Sequence, residues 1–165
     1  MSPAAPVPAE PGTYALLLEL PRAAHVQIGR LGRYRFERGC YLYVGSALGP
    51  GGLRARLRHH ARHAESPRWH VDYLRHEARL SQVWYTQDTR RHEHAWARAA
   101  GGLRGASSPV HGFGASDCDC ASHLFAFVTR PSAAAFRRRL RGCGHPPVRA
   151  LGTESSPAGA MLRSR

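Results

Sequence analysis

The sequence contains no lysine and no asparagine, and each of its 24 Lys/Arg positions is an arginine. With only 11 acidic residues, the formal net charge is +13. Such a charge favours nucleic acid or another polyanion as the partner, although a basic surface also serves solubility alone. Arginine is well suited to phosphate because its guanidinium binds two oxygens at once.

Long hydrophobic runs are also absent, since none approaches the roughly 18 residues that a membrane helix needs. The first residues lack the basic and apolar regions of a secretory signal. Four cysteines, two of them in "DCDC", do not form the spread framework of a disulfide-linked secreted domain. These absences predict a soluble cytoplasmic protein without membrane attachment.

The chain of 165 residues, 42% of them hydrophobic, suits one domain with a modest core. Residues 1–11 are rich in proline and alanine, which predicts a disordered segment. From residue 142 to 165 hydrophobic periodicity is lost and Pro, Gly and Ser increase, which predicts a flexible tail. The folded domain is therefore expected over residues 12–141.

Periodicity within this range predicts an α+β fold. The leucines of "TYALLLEL" alternate as in a strand, and we expect a hairpin with a second strand at 24–29, then a polar turn before a third. The domain should therefore contain a small, mainly antiparallel sheet, with about three central strands, flanked by helices. The remaining predictions are strands at 40–47, 80–87 and 123–129 and helices at 52–65, 69–78, 90–102 and 131–142.

The first predicted helix carries a basic stripe beside its apolar face. Leu53 and Leu57 fall on the side that faces the sheet, whereas Arg56, His60 and His63 share a neighbouring face. A basic group at the edge of the core is partly desolvated, so its attraction for phosphate strengthens.

Two tripeptides on predicted strands, "GTY" at 12–14 and "YVG" at 43–45, precede this arginine helix and a later helix with a glutamate. Together they resemble the GIY-YIG nuclease superfamily, with Thr and Val in place of two Ile. The resemblance is closest to its uncharacterised bacterial and archaeal branch (domain of unknown function 123-like), over about residues 12–128.

The resemblance implies hydrolysis of a DNA phosphodiester by water, assisted by one Mg²⁺ or Mn²⁺ ion. Tyr14 would orient or deprotonate the water, and Tyr43 would support the water network. Arg56 would stabilise the charge on the phosphorane, and His60 occupies a basic position one turn later. Glu93 would bind the metal.

General chemistry adds to these assignments. A phenol with a pKa of about 10 is a poor base, and we expect Arg30 or Arg56 nearby to lower that pKa. Glu77 competes with Glu93 for the metal role. The residues expected to bind nucleic acid are Arg30, Arg56, His60, His63 and His70.

A late stretch, "HGFGASDCDCASHLF" at 111–125, raises two further questions. Many superfamily members have an Asn late in the domain, near the active site. This chain has no Asn, and Ser116, Asp117 or His123 are the candidates for its position.

The same stretch contains three potential Zn²⁺ ligands, Cys118, Cys120 and His123, with Cys143 or His145 as a distant fourth. Their spacing matches no familiar zinc finger and the set is incomplete. The sequence therefore favours a glycine-rich loop over structural zinc.

The function predicted is a metal-dependent DNA endonuclease, structure-selective or non-specific, acting in repair or recombination. One alternative is a nucleic-acid-binding module with the same fold and little cleavage. Another is a zinc-stabilised interaction protein. A protein partner or a homodimer remains open.

Overall fold

A computed structural model describes residues 7–141 and 144–152. Within these ranges the fold is α+β. The strands are β1 Gly12–Leu20, β2 Ala24–Ile28, β3 Gly32–Phe36, β4 Gly39–Ala47, β5 Arg79–Gln87, β6 Leu124–Phe127 and β7 Arg149–Gly152; the helices are α1 Gly52–Ala61, α2 His70–Leu74, α3 Glu93–Gly101 and α4 Ala133–Leu140. Five strands form an antiparallel sheet in the order β6-β4-β1-β5-β7, and β2 and β3 form a separate hairpin. A short 3₁₀ helix, Gly29–Leu31, connects β2 to β3.

β1 is the central strand and pairs with β4 on one side and β5 on the other. In the β1-β4 register, Tyr14 lies opposite Gly45, and Gly12 lies opposite Ala47. The two tripeptides singled out in the sequence are therefore direct neighbours across one strand pair.

Helices cover both faces of this sheet. Leu16 and its alternating neighbours pack with α1, α2 and the hairpin, whereas Leu17 packs on the opposite face with α3 and α4. Because both faces are covered, Leu16 and Leu17 are both completely buried. The sheet forms the rigid middle layer from which the site is built.

The sheet differs from the prediction in its strand pairing. It has five strands rather than about three, and β2 pairs with β3 instead of forming a hairpin with β1. The predicted polar turn contains β3, where exposed Arg33 and Arg35 alternate with half-buried Tyr34 and buried Phe36. Because arginines occupy the solvent-facing positions, this strand has a polar composition. The alternation of buried and exposed residues that is typical of a strand was therefore not recognised in the sequence.

The folded part also extends beyond the predicted limits of 12–141. Val7 is buried, and the backbone carbonyl of Glu10 accepts a hydrogen bond from the N–H of Leu53 at the start of α1. At the other end β7 adds an edge strand to the sheet beside β5. The predicted disorder of residues 1–6 and the predicted flexibility of residues 142–143 and 153–165 concern parts of the chain outside the described residues.

The helices are shorter than predicted. α1 ends at Ala61 rather than 65, so His63 lies beyond the helix and does not share a helical face with Arg56 and His60. Among the described residues, every helix is too short or too polar to traverse a lipid bilayer.

Candidate active site

A cleft of about 240 Å³ opens at the end of the sheet where β1 begins and β4 ends. It is bounded by the end of β4, by α1, by the start of α3 and by the glycine-rich loop before β6. Its lining residues are Tyr43, Gly45, Ser46, Leu48, Gly49, Arg56, Trp69, Arg91, Glu93, Gly114 and Asp117.

Tyr14 lies immediately behind this lining, only 1% exposed. Its ring centroid is 6.5 Å from that of Tyr43. Burial raises the pKa of Tyr14 above its ordinary value, and this effect outweighs the opposing influence of Arg56. The expected lowering of that pKa is therefore wrong, and the phenol is held in its protonated form. Arg30, the other cation expected near Tyr14, is exposed in the 3₁₀ helix.

The Tyr14 hydroxyl is 2.7 Å from Nε2 of His60, which is itself buried in α1. Burial lowers the pKa of His60 to about 4, although Asp72 acts in the opposite direction. Nδ1 of His60 faces Asp72 Oδ1 at 3.6 Å. If the proton of neutral His60 is on Nδ1, its Nε2 accepts a hydrogen bond from Tyr14, and Nδ1 has no hydrogen-bond partner among the described residues.

Asp72 is a site residue that the sequence reasoning missed. Its Oδ2 accepts hydrogen bonds from the backbone N–H groups of Arg68 and Trp69, at 2.8 and 3.0 Å. Burial favours the neutral acid, but contacts with His60 and these N–H groups hold the pKa of Asp72 well below its usual range. The only signal in the sequence was an Asp in the first turn of a short helix, which is common for capping alone.

Gly45 lines the cleft and lies directly against the Tyr14 hydroxyl. A Cβ atom at position 45 would lie 2.5 Å from that hydroxyl oxygen and 2.6 Å from Cζ of the same ring. Gly12 is required for a similar reason, because a Cβ there would lie 2.2 Å from the carbonyl oxygen of Thr86. Both glycines of the tripeptides thus permit close packing, Gly45 against Tyr14 and Gly12 against Thr86 and Leu53.

Arg56 is fixed in position on the other side of the cleft. Its Nη1 donates to the backbone carbonyl of Ser46 at 2.9 Å. Its guanidinium carbon lies 4.2 Å from the centre of the Trp69 ring, a cation–π contact. The stacked, anchored guanidinium faces the cleft with its orientation already set.

Glu93 projects into the cleft from the first turn of α3, with its side chain 14% exposed. Its Oε2 accepts a hydrogen bond from Ser46 Oγ at 3.2 Å, and its Oε1 lies 3.2 Å from His123 Nδ1. Burial favours protonation, but His123, Ser46 and Arg91 keep the pKa of Glu93 below its usual value. The competing carboxylate, Glu77, is exposed and outside the cleft lining.

Comparison with known proteins assigns the chain to a family. The sequence profile of the family described as "Domain of unknown function DUF123" matches residues 13–144. The chain belongs to this family. No curated protein and no solved structure matches it.

The part of the chain shared with DUF123 contains every residue that lines the cleft, as well as Tyr14, His60 and Asp72. Strand β7 lies beyond it. The candidate site therefore lies within the matched region.

Not every predicted site residue reaches the cleft of this DUF123 domain. Arg30 and His63 are exposed and outside its lining, and Ser116 is exposed beside it. His70 accepts a hydrogen bond at Nδ1 from the Gly114 N–H at 2.9 Å, so it holds the loop. Asp117 does line the cleft.

A second groove, of about 380 Å³, continues from the cleft along α1 and shares Gly49, Arg56 and Trp69 with it. Its walls add Arg62 and Arg68. A polyanion that entered the cleft would therefore run beside two further guanidiniums.

Proposed function

We propose that this DUF123 chain is a metal-dependent endonuclease of the GIY-YIG superfamily that hydrolyses DNA phosphodiester bonds. One observation carries the proposal. Tyr43, Arg56 and Glu93 line the same cleft, and the hydrogen-bonded pair of Tyr14 and His60 lies directly behind Gly45. A buried phenol, a fixed guanidinium and an ionised carboxylate are the groups that water attack on a phosphodiester requires.

The raised pKa of Tyr14 determines how its phenol would work. A preformed phenolate is disfavoured, so Tyr14 would take a proton from the attacking water as it passes its own proton to His60. The nearby Asp72 carboxylate would offset part of the cost that burial imposes on the resulting imidazolium. Tyr14 is thus a relay between the cleft and a base behind it.

The other two groups act on the phosphate. Arg56 would donate hydrogen bonds to the phosphoryl oxygens as negative charge develops there. Glu93 fits a divalent ion such as Mg²⁺ or Mn²⁺, because it is a half-buried, ionised carboxylate at the edge of an open cleft. When bound, such an ion supplies Lewis-acid stabilisation of the phosphate.

The charge around the cleft supports a nucleic-acid substrate. Arginine contacts to phosphate position a nucleic acid without reading its sequence. The groove along α1 offers Arg56, Arg62 and Arg68. We therefore propose structure-selective or non-specific cleavage of DNA, in cytoplasmic repair or recombination.

The proposal is tested with end-labelled duplex, flapped and branched DNA, incubated with Mg²⁺, Mn²⁺ or EDTA. We expect divalent-ion-dependent cleavage of at least one substrate and none with EDTA. Fluorescence anisotropy in EDTA measures binding separately. Tight binding without cleavage under any of these metal conditions would contradict an endonuclease and favour a DNA-binding module.

Gly45→Ala is expected to lower the cleavage rate about 100-fold, because a displacement of reacting groups by about 1 Å costs that much. The new methyl would press on the Tyr14 hydroxyl. Gly49→Ala is the matched control, since it also lines the cleft but a Cβ there meets no atom within 4 Å. Single-turnover rates that are equal in the two variants would contradict the role of Gly45.

A further inference from the structure

Four metal-binding side chains meet beside the cleft. His94 belongs to the first turn of α3, Cys118 and Cys120 to the loop before β6, and His123 immediately precedes that strand. One ligand atom from each lies within 4.8 Å of the other three. The donor atoms of tetrahedral Zn²⁺ lie about 3.3–3.8 Å apart, given bond lengths of about 2.0–2.3 Å. Cys118 Sγ and His123 Nε2 are already 3.4 Å apart.

Three residues of the cluster are half-buried and the fourth, His123, is buried. His123 is 1% exposed, and Nε2 of His94 is buried without a hydrogen-bond partner among the described residues. A buried polar nitrogen without a partner is costly, so such groups are rare. Cys118 and Cys120 are free thiols.

The chemistry of the four donors selects the ion. Two sulfurs and two imidazole nitrogens suit Zn²⁺, whereas Mg²⁺ and Mn²⁺ prefer oxygen. We propose that His94, Cys118, Cys120 and His123 bind one structural zinc ion. The sequence interpretation favoured a plain loop because it lacked the fourth ligand.

His94 supplies that ligand from a distant helix. Of the two earlier candidates, His145 instead accepts a hydrogen bond from Trp96 Nε1, and Cys143 is outside the described residues.

The proposed zinc site is connected to the active-site carboxylate. His123 directs Nε2 to the cluster, and its Nδ1 lies 3.2 Å from Glu93 Oε1, a close polar contact that lacks hydrogen-bond geometry. A zinc-bound imidazole that donates its other N–H to a carboxylate is a recurrent arrangement that fixes both groups. His94 also follows Glu93 directly in α3. Zinc would therefore fix the position of Glu93 both through His123 and through its neighbour His94 in α3. The benefit to cleavage rests on the proposed function, whereas the zinc site itself does not.

Metal analysis of the full chain, purified without chelators, tests the site. We expect about one zinc per chain in the wild type and at least a tenfold loss in Cys118→Ser and Cys120→Ser. Cys40→Ser is the matched control, because Cys40 is a free thiol in β4 outside the cluster. Glu93→Gln should also retain zinc. Less than about half an equivalent in the wild type, or full zinc in both cysteine variants, would overturn the proposal.

A second measurement does not depend on the folding of the variants. Wild-type chain stripped of zinc and titrated with Co²⁺ should develop the thiolate charge-transfer and d–d absorption of tetrahedral Co²⁺, with one ion bound. Spectra typical of octahedral Co²⁺ would overturn the site. This readout requires no DNA cleavage, so it stands even where the endonuclease proposal fails.

The effect on Glu93 has a separate test in the cleavage assay. Zinc-free chain should need about 10- to 100-fold more Mg²⁺ for half-maximal cleavage, since groups behind a metal ligand typically contribute that factor. DNA affinity, measured without added Mg²⁺ and without a chelator, should differ by less than about threefold between the zinc-free and the zinc-loaded chain. Adding back one zinc ion per chain should return the Mg²⁺ concentration for half-maximal cleavage to its wild-type value. If the zinc-free chain needed no more Mg²⁺ than the wild type, zinc would not position Glu93. The zinc content measured by metal analysis would be unaffected by that result.

Discussion

Tyr14→Phe is expected to lower the single-turnover rate of DNA cleavage by about 10²- to 10⁴-fold, the range typical of a lost general acid–base group. The substitution removes only the hydroxyl that contacts His60 Nε2. Without it, the attacking water loses its route for proton transfer to His60. DNA binding should change little, because Tyr14 is buried behind the cleft lining.

The control for this variant must also lose a buried hydroxyl. Tyr41 provides it, because its hydroxyl donates to the carbonyl of Glu37 away from the cleft. Tyr14→Phe should lower the free energy of unfolding by about 1–3 kcal/mol, because it leaves buried His60 Nε2 unsatisfied, and Tyr41→Phe should lower it by about 0.5–1.5 kcal/mol for the loss of one hydrogen bond. Only Tyr14→Phe should slow cleavage. A comparable rate in both variants would rule out the proton relay.

The sequence predicted the centre of the site because short-range patterns encode it. Both tripeptides lie on strongly patterned strands, and Arg56 follows within the next helix. Tyr14 opposite Gly45 is the direct result of antiparallel pairing. Glu93 could be proposed because it begins a clear helix.

The rest of the site depends on tertiary packing. Asp72 contacts His60 only because α2 packs beside α1, and His94 joins the cysteine loop only because α3 packs near β6. Neither contact leaves a local pattern. The direction of the Tyr14 pKa shift could not be predicted from the sequence either, because the effect of burial opposes and exceeds that of neighbouring Arg56.

Glu93→Gln is expected to lower the cleavage rate by about 10³-fold or more, corresponding to a loss of about 4 kcal/mol of transition-state stabilisation. Glutamine keeps the shape of the side chain and can still accept the hydrogen bond from Ser46, but it has no negative charge for a divalent ion. The rate should therefore become nearly independent of Mg²⁺ concentration. Single-turnover rates across an Mg²⁺ titration measure both effects.

Glu77→Gln is the matched control, because it removes the same charge from an exposed position outside the cleft. It should cleave at the wild-type rate. DNA affinity in EDTA should be equal or slightly higher in Glu93→Gln, since a carboxylate near the phosphate repels it when no cation intervenes. If Glu93→Gln retained a wild-type rate and Mg²⁺ dependence, the metal would have to bind elsewhere. The cleft would then hold DNA without performing the hydrolysis assigned to it.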